Sequence, residues 1–177
     1  MKRNNALEDG KNALLLCLKN IQKETVFNIL VYGEKQSWLS EKSIQASEIN
    51  VKKIIEVVRG LQANMSSKNL EMALRAAYNY KSTNMLPKII FLITDSNLEK
   101  SNPEVCLELI RKNSRFHKVC AIGVGKPDEK EGYFALAAAE VGKGHCEIYD
   151  EKNPNLAENI KNMVQRAGIP TITNFKL

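Results

Sequence analysis

The stretch from Lys88 to Thr94 reads KIIFLIT, and it runs straight into Asp95 and Ser96. After its first lysine the run is apolar or β-branched throughout. A strand with one solvent-exposed face would alternate apolar and polar residues, and this run does not. It therefore predicts a strand covered on both faces, as in a parallel sheet that lies between two layers of helices.

The rest of the chain alternates strand and helix patterns around this run. Strands are predicted in TVFNILVYG, as a short edge piece near 37–44, in HKVCAIGVG and in HCEIYD. Helices are predicted at 5–21, from Ser47 to near Gly60, from Leu70, from Asn102-Pro103-Glu104, in EGYFALAAAEVG and from Asn153-Pro154. This order predicts an α/β fold: a three-layer, doubly wound, mostly parallel sheet with helices on both faces.

Length and charge limit the class of protein. The 177 residues suit one domain, predicted at 1–167. The net charge of +6 is spread along the chain, which argues against nucleic acid as a partner. No apolar run approaches the roughly 20 residues of a membrane span. The start shows no signal-peptide pattern, so we expect a cytoplasmic protein if Met1 is the true start.

Asp95 is the first candidate for chemistry, because ligands bind at the carboxyl ends of strands in doubly wound sheets. The chain has no phosphate-loop, dinucleotide or nucleophile-elbow motif, and GVGK at 123–126 has only two glycines. His145 and Cys146 are neighbours on a predicted strand and so point to opposite faces. We expect no enzymatic activity and no cofactor; a small α/β hydrolase using Asp95 is the less favoured alternative.

The four cysteines show no paired metal or redox spacing. Cys17 and Cys106 lie in apolar helix patterns and Cys120 in an apolar strand, which favours buried free thiols. The alternative is a disulfide between Cys120 and Cys146, which requires that their strands are neighbours and that the compartment is oxidising.

PKIIFLITDS and the later KVCAIGVG resemble the second half of a von Willebrand factor A-type domain. VFNILVYGEKQSW, IQASEINVKKIIEVVRG and the terminal IPTITNFKL are similar to segments of the A-type domain of inter-alpha-trypsin inhibitor heavy chains. On this resemblance, 168–177 begins the region that follows the domain. The likeness covers nearly the whole chain.

The resemblance implies a metal-ion-dependent adhesion site built from an Asp-x-Ser-x-Ser loop, a middle-loop threonine and the aspartate of Thr-Asp-Gly. Here Asp95 matches the last of these and Ser96 replaces the glycine. Lys68 falls at the threonine, and a shift of one residue lets Ser67 supply the hydroxyl instead. The implied site is degenerate, with Asp95 and Ser67 as its metal ligands and at most weak Mg²⁺ binding. The ammonium of Lys68 beside Asp95, in place of the cation, is a further hypothesis.

The Asp-x-Ser-x-Ser loop and the strand before it have no counterpart in the chain. We therefore expect the first central strand of the sheet to be missing and the domain to be shortened at its N-terminus. The resemblance implies a non-enzymatic interaction or adhesion module with a protein, extracellular-matrix or glycosaminoglycan partner such as hyaluronan, and an extracellular setting for the full-length protein. An intracellular A-type scaffold domain is the alternative.

Overall fold

The computed structural model describes residues 4–33, 36–62, 69–81, 88–95, 98, 101–124 and 132–167. Strands and helices alternate along most of this length, much as the sequence pattern predicts. The helices are α1 (Asn4–Asn20), α2 (Glu48–Arg59), α3 (Leu70–Asn79), α4 (Pro103–Asn113), α5 (Gly132–Val141) and α6 (Leu156–Ala167). The strands are β1 (Val26–Phe27), β2 (Leu30–Tyr32), β3 (Gln36–Trp38), β4 (Ile44–Gln45), β5 (Ile89–Thr94), β6 (Lys118–Gly123) and β7 (Lys143–Ile148).

The centre of the fold is a parallel sheet in the order β5-β6-β7. Strand β5 pairs with β6 along its whole length, from Ile89 opposite Lys118 to Thr94 opposite Gly123. The α/β class and the parallel sheet are therefore confirmed. The sequence predicts them well because each strand carries its own apolar run and each crossover contains its own helix.

Helices cover both faces of this sheet. On the first face, α1 and α6 pack against one set of side chains from β6, including Cys120 and Ile122. On the second face, α3, α4 and α5 pack against Leu92, Val119 and Ala121. Successive side chains of a strand point to opposite faces of the sheet, so each strand supplies apolar side chains to both helix layers. The doubly wound arrangement buries both sets.

The segment TVFNILVYG forms two short strands, not the one predicted. Strand β1 pairs with β4 and β2 pairs with β3, both antiparallel. Asn28 lies at the break, where its amide donates to the Ser40 carbonyl at 2.8 Å and its side-chain oxygen accepts from the backbone N–H of Ile29 at 2.8 Å. The asparagine side chain thus takes the place of backbone hydrogen bonds between strands at this point. Strand propensities do not predict such a break, because they do not include hydrogen bonds from side chains to the backbone.

Among the described residues, β2 and β5 do not pair with each other. Strand β5 is also less covered than its composition predicts, since Ile89 is 38% exposed and Phe91 and Ile93 are half-buried. One edge of β5 therefore carries no ladder within the described part of the chain.

All four cysteines are free thiols. Cys120 belongs to the first-face cluster and Cys146 packs on the second-face cluster, so the sheet separates them. The structure thus contains no Cys120–Cys146 disulfide. Within the described ranges, no helix combines the length and the apolar character that crossing a bilayer requires.

Candidate functional site at the carboxyl edge of the sheet

The carboxyl edge of the sheet is formed by the ends of β5, β6 and β7, with the end of β2 and the start of α3 beside them. Backbone bonds hold these parts together. The Thr94 carbonyl accepts from Val124 at 2.9 Å, and the Gly123 carbonyl accepts from Tyr149 at 2.8 Å. The Gly33 carbonyl, just after β2, accepts from Asn69 at 3.1 Å.

Asp95 is half-buried and directly follows β5, as predicted. Thr94 before it is only 3% exposed and lies next to the phenol of Tyr32. Burial is the main reason that the pKa of Tyr32 rises to about 12, and the negative charge of Asp95 acts in the same direction. The Tyr32 phenol therefore stays neutral beside the carboxylate.

The start of α3 at this edge is capped by two side chains. The Asn69 side-chain oxygen accepts from the N–H of Met72 at 3.0 Å. The hydroxyl oxygen of Ser101, which is buried, accepts from Leu70 at 2.8 Å and from Glu71 at 3.4 Å. Ser101 thus fixes the helix that follows the middle loop against the residues that follow β5.

Tyr149, just after β7, lies at the other end of the carboxyl edge. Burial is the largest cause of the raised pKa of its phenol, and the side chain of Asn12 in α1 acts in the opposite direction. The charges of Glu151 and Asp9 act in the same direction as burial. The edge therefore combines two neutral phenols with carboxylates, and it offers a polar surface around Asp95.

Of the two predicted metal ligands, Asp95 and Ser67, the described residues include Asp95. No group of three His, Cys, Asp or Glu side chains with the spacing of metal ligands occurs in the described ranges. Ser67, Lys68 and Ser96 lie outside the described residues, so their predicted roles remain predictions.

The histidines and cysteines do not form a nucleophilic pair in the structure. His117 lies at the opposite, amino edge, where its Nδ1 accepts from the N–H of Lys88 at 3.1 Å. His145 is exposed, while Cys146 beside it packs into the second-face cluster. Burial raises the pKa of the Cys146 thiol to about 11, which disfavours the reactive thiolate.

Tyr32 and Ser101 are among the residues of the site that were not singled out from the sequence. Tyr32 ends a predicted strand, and its position at a carboxyl end was the available signal. Ser101 is 31 residues from Leu70 and 30 from Glu71, whose N–H groups it caps, and no local pattern connects residues at these separations.

Residues 1–148 match the family model described as the von Willebrand factor type A domain. Among curated proteins, two von Willebrand factor A domain-containing proteins of Dictyostelium discoideum are 23% and 28% identical over 97% of this chain. The chain covers 18% and 8% of their lengths, less than a fifth of each. Von Willebrand factor A domain-containing protein 5A of Rattus norvegicus is 26% identical over 68% of this chain and 14% of its own length.

Solved structures show the same fold. A von Willebrand factor type A structure from Catenulispora acidiphila matches 91% of this chain and 38% of its own, with a TM-score of 0.71 and 17% identity. Proximal thread matrix protein 1 from the mussel byssus, whose adhesion motif is described as occupied by zinc, matches 90% of this chain and 40% of its own, with a TM-score of 0.60 and 16% identity.

Proposed function

Since this chain belongs to the von Willebrand factor type A domain family, we propose that it is a non-enzymatic protein-interaction module whose contact surface is the carboxyl edge around Asp95. The supporting observation is the position of Asp95, half-buried at the carboxyl end of β5 and close enough to Tyr32 for its charge to raise the pKa of that phenol. A carboxylate held in a polar rim by fixed elements can contact a partner's cationic or donor groups without losing much side-chain freedom.

A matched pair of charge-removing variants tests the contact surface. Asp95→Asn and Asp150→Asn both remove a carboxylate after a strand of the same sheet, and both keep a side-chain oxygen. We expect quantitative affinity purification to recover the same partners with wild type and Asp150→Asn, and to lose them with Asp95→Asn. Equal recovery with Asp95→Asn would show that the partner does not bind at Asp95.

We further propose that the adhesion site is degenerate, with Asp95 and Ser67 as its remaining oxygen ligands. One carboxylate and one hydroxyl are too few to replace the water shell of Mg²⁺, which prefers octahedral oxygen coordination. Calorimetric titration with Mg²⁺ and with Mn²⁺ should therefore show no binding in the micromolar range. Micromolar binding that Asp95→Asn abolishes would contradict the degenerate site.

For the partner class, the resemblance to inter-alpha-trypsin inhibitor heavy chains supports a matrix protein or a glycosaminoglycan in an extracellular setting. The net charge of +6 suits an anionic glycan. If hyaluronan is the partner, binding to immobilised hyaluronan should persist at about 0.15 M salt, where surface charges are screened beyond roughly 8 Å. Retention only at low salt would indicate nonspecific charge attraction and would count against this partner.

An intracellular scaffold domain is the second candidate, and the four free thiols favour it. Free cysteines persist in reducing compartments, whereas secreted proteins commonly oxidise theirs. Alkylation of intact cells before lysis, followed by mass spectrometry, distinguishes the two settings. Four alkylated cysteines in a cytosolic fraction would support the scaffold, and recovery of the protein from the medium would contradict it.

A further inference from the structure

The backbone N–H of Lys88, just before β5, is bonded to a side chain. The Lys88 carbonyl accepts from the N–H of Lys118 at 3.1 Å, so it faces β6. In a parallel ladder the N–H and the carbonyl of one residue point to the same neighbouring strand. The N–H of Lys88 therefore points the same way, and it donates to Nδ1 of His117 at 3.1 Å. The imidazole thus takes the place of a ladder carbonyl just before β6 begins.

This bond fixes the charge state and the tautomer of His117. A ring nitrogen accepts a hydrogen bond only while it carries no proton, so the imidazole is neutral, with its proton on Nε2. Protonation of Nδ1 turns the acceptor into a donor. Two N–H groups would then face each other, and the bond to Lys88 cannot form.

The same two residues are joined to the end of α3. The Lys88 ammonium donates to the carbonyls of Ala77 and Tyr78, at 3.2 and 2.8 Å, in the last turn of that helix. The imidazole of His117 stacks on the ring of Tyr78, with 5.8 Å between the ring centroids. We call Tyr78, Lys88 and His117 the amino-edge clamp. It joins the end of α3, the start of β5 and the turn between α4 and β6.

The surroundings of the imidazole oppose its protonation. Burial and the positive charge of Lys88 lower the pKa of His117 below its ordinary value of 6.5, while the backbone of Phe116 acts in the opposite direction. Helix α3 contributes a neutral group, since burial raises the pKa of the Tyr78 phenol to about 12. An imidazolium in the closed clamp would lie half-buried beside an ammonium.

The other charged groups near the clamp do not offset this repulsion. Along the chain, His117 lies between the cations Arg115 and Lys118. The acid one helical turn before the end of α4, Glu108, is ion-paired with Arg111 and Lys112. Residues 82–87, which precede Lys88, read STNMLP and include no ionisable side chain.

We propose that the amino-edge clamp is an acid-sensitive switch, which is closed while His117 is neutral and opens when His117 gains a proton. Opening frees the N–H of Lys88 and separates the turn before β6 from the end of α3. The clamp lies at the edge of the sheet opposite Asp95, so the switch does not depend on where a partner binds.

The direction of the pH dependence follows from the two states. The open or unfolded chain takes up the proton at a higher pH than the closed clamp does, so falling pH favours opening. The contribution of the clamp to stability is complete above about pH 6.5 and is lost as the pH falls below that value. Other histidine switches respond at about pH 5–6, within this range.

Amide hydrogen exchange of the full chain tests the switch, with rates corrected for the intrinsic pH dependence of exchange. We expect the protection factor of the Lys88 amide to fall at least tenfold between about pH 7.5 and pH 5. The amides of Leu92 and Thr94, which face β6 farther along β5, should keep their protection. Imidazole nitrogen chemical shifts should show the Nε2–H tautomer of His117 above the transition and the doubly protonated ring below it. Equal protection of Lys88 at both pH values would overturn the proposal.

Two substitutions at His117 separate the acceptor from the titration. The side-chain oxygen of asparagine lies at nearly the same distance from the backbone as Nδ1, so His117→Asn keeps an acceptor that does not titrate in this range. We expect its Lys88 amide to be equally protected at both pH values. His117→Ala removes the acceptor and should leave the amide weakly protected at both. A decrease of wild-type size in His117→Asn would contradict the proposal.

The second of the two histidines supplies the matched control. His145 is exposed on β7, and His145→Gln leaves the clamp intact. Its Lys88 amide should lose protection over the same pH range as in wild type. A variant His145→Gln without the transition would assign the transition to His145 and overturn the proposal.

A last variant tests the repulsion between the two cations. Lys88→Met keeps the backbone donor and removes the charge that lowers the pKa of His117. We expect its transition, followed by the imidazole nitrogen shifts of His117, to occur at a higher pH than in wild type. A transition at the same pH or at a lower one would show that the Lys88 ammonium does not act on the switch, against the proposal.

Discussion

Tyr32 of β2 and Thr94 of β5 lie next to each other at the carboxyl edge, although their strands share no ladder in the described part of the chain. This contact brings the β2–β3 hairpin to the parallel sheet at the residue before Asp95.

We expect Tyr32→Phe to lower the free energy of unfolding by about 1 kcal/mol, because the phenol loses its polar contact with Thr94 in a buried setting. Tyr78→Phe is the matched control, since the buried Tyr78 hydroxyl has no hydrogen-bond partner, and its removal should be neutral or slightly stabilising. Urea denaturation followed by circular dichroism measures both. An equal effect of the two variants would rule out a special role for the Tyr32–Thr94 contact.

Removal of the buried Ser101 cap on α3 should also destabilise the protein. Ser101→Ala leaves the N–H groups of Leu70 and Glu71 without their acceptor, and we expect a loss of about 1–2 kcal/mol in the free energy of unfolding. The control is Ser114→Ala, whose hydroxyl donates to the Arg111 carbonyl at an exposed helix end. Its effect should stay within about 0.5 kcal/mol. If Ser101→Ala is as mild as the control, the cap does not contribute to stability.

Gly144 of β7 has no room for a side chain. A Cβ there would overlap the backbone carbonyl of Val119, which cannot move without breaking the β6–β7 ladder. We expect Gly144→Ala to lower the thermal midpoint and to cost about 1–3 kcal/mol. Gly60→Ala is the control, because its nearest atoms lie at 3.5 Å or beyond and its φ of −78° suits alanine. Similar midpoints for the two variants would contradict this packing.

The free energy of unfolding should fall at alkaline pH. Burial raises the pKa of Cys17 from 9.0 to about 12, and the pKa values of Tyr32 and Tyr78 from 10.0 to about 12. The unfolded chain releases these protons first, so between about pH 9 and pH 12 it binds fewer protons than the folded chain. Stability is thus complete below about pH 9 and is lost as the pH rises through this range.

Urea unfolding at several values between about pH 8 and pH 10.5 measures this dependence. Cys17→Ala should make the decrease shallower, since one of the buried groups no longer titrates, whatever its own cost at neutral pH. A free energy that does not change over this range would show that these groups are not buried as the structure indicates.

The sequence alone determined the features that depend on neighbouring residues. The apolar run of β5 predicted a strand between two helix layers, and Asn102-Pro103-Glu104 predicted the start of α4, where the Asn102 side chain accepts from Glu104 at 2.9 Å. Ser47 capped α2 as predicted, with its hydroxyl 3.3 Å from the N–H of Asn50. These features are local, because strand period, helix period and caps act over at most a few residues.

Only the tertiary structure decided the contacts between distant segments. It placed Tyr32 on Thr94, brought Ser101 to the start of α3 and separated Cys120 from Cys146 by the thickness of the sheet. It also left the facing edges of β2 and β5 without a shared ladder in the described residues. Strand order and register are set by how whole layers bury their apolar faces together, and no short window of sequence contains that information.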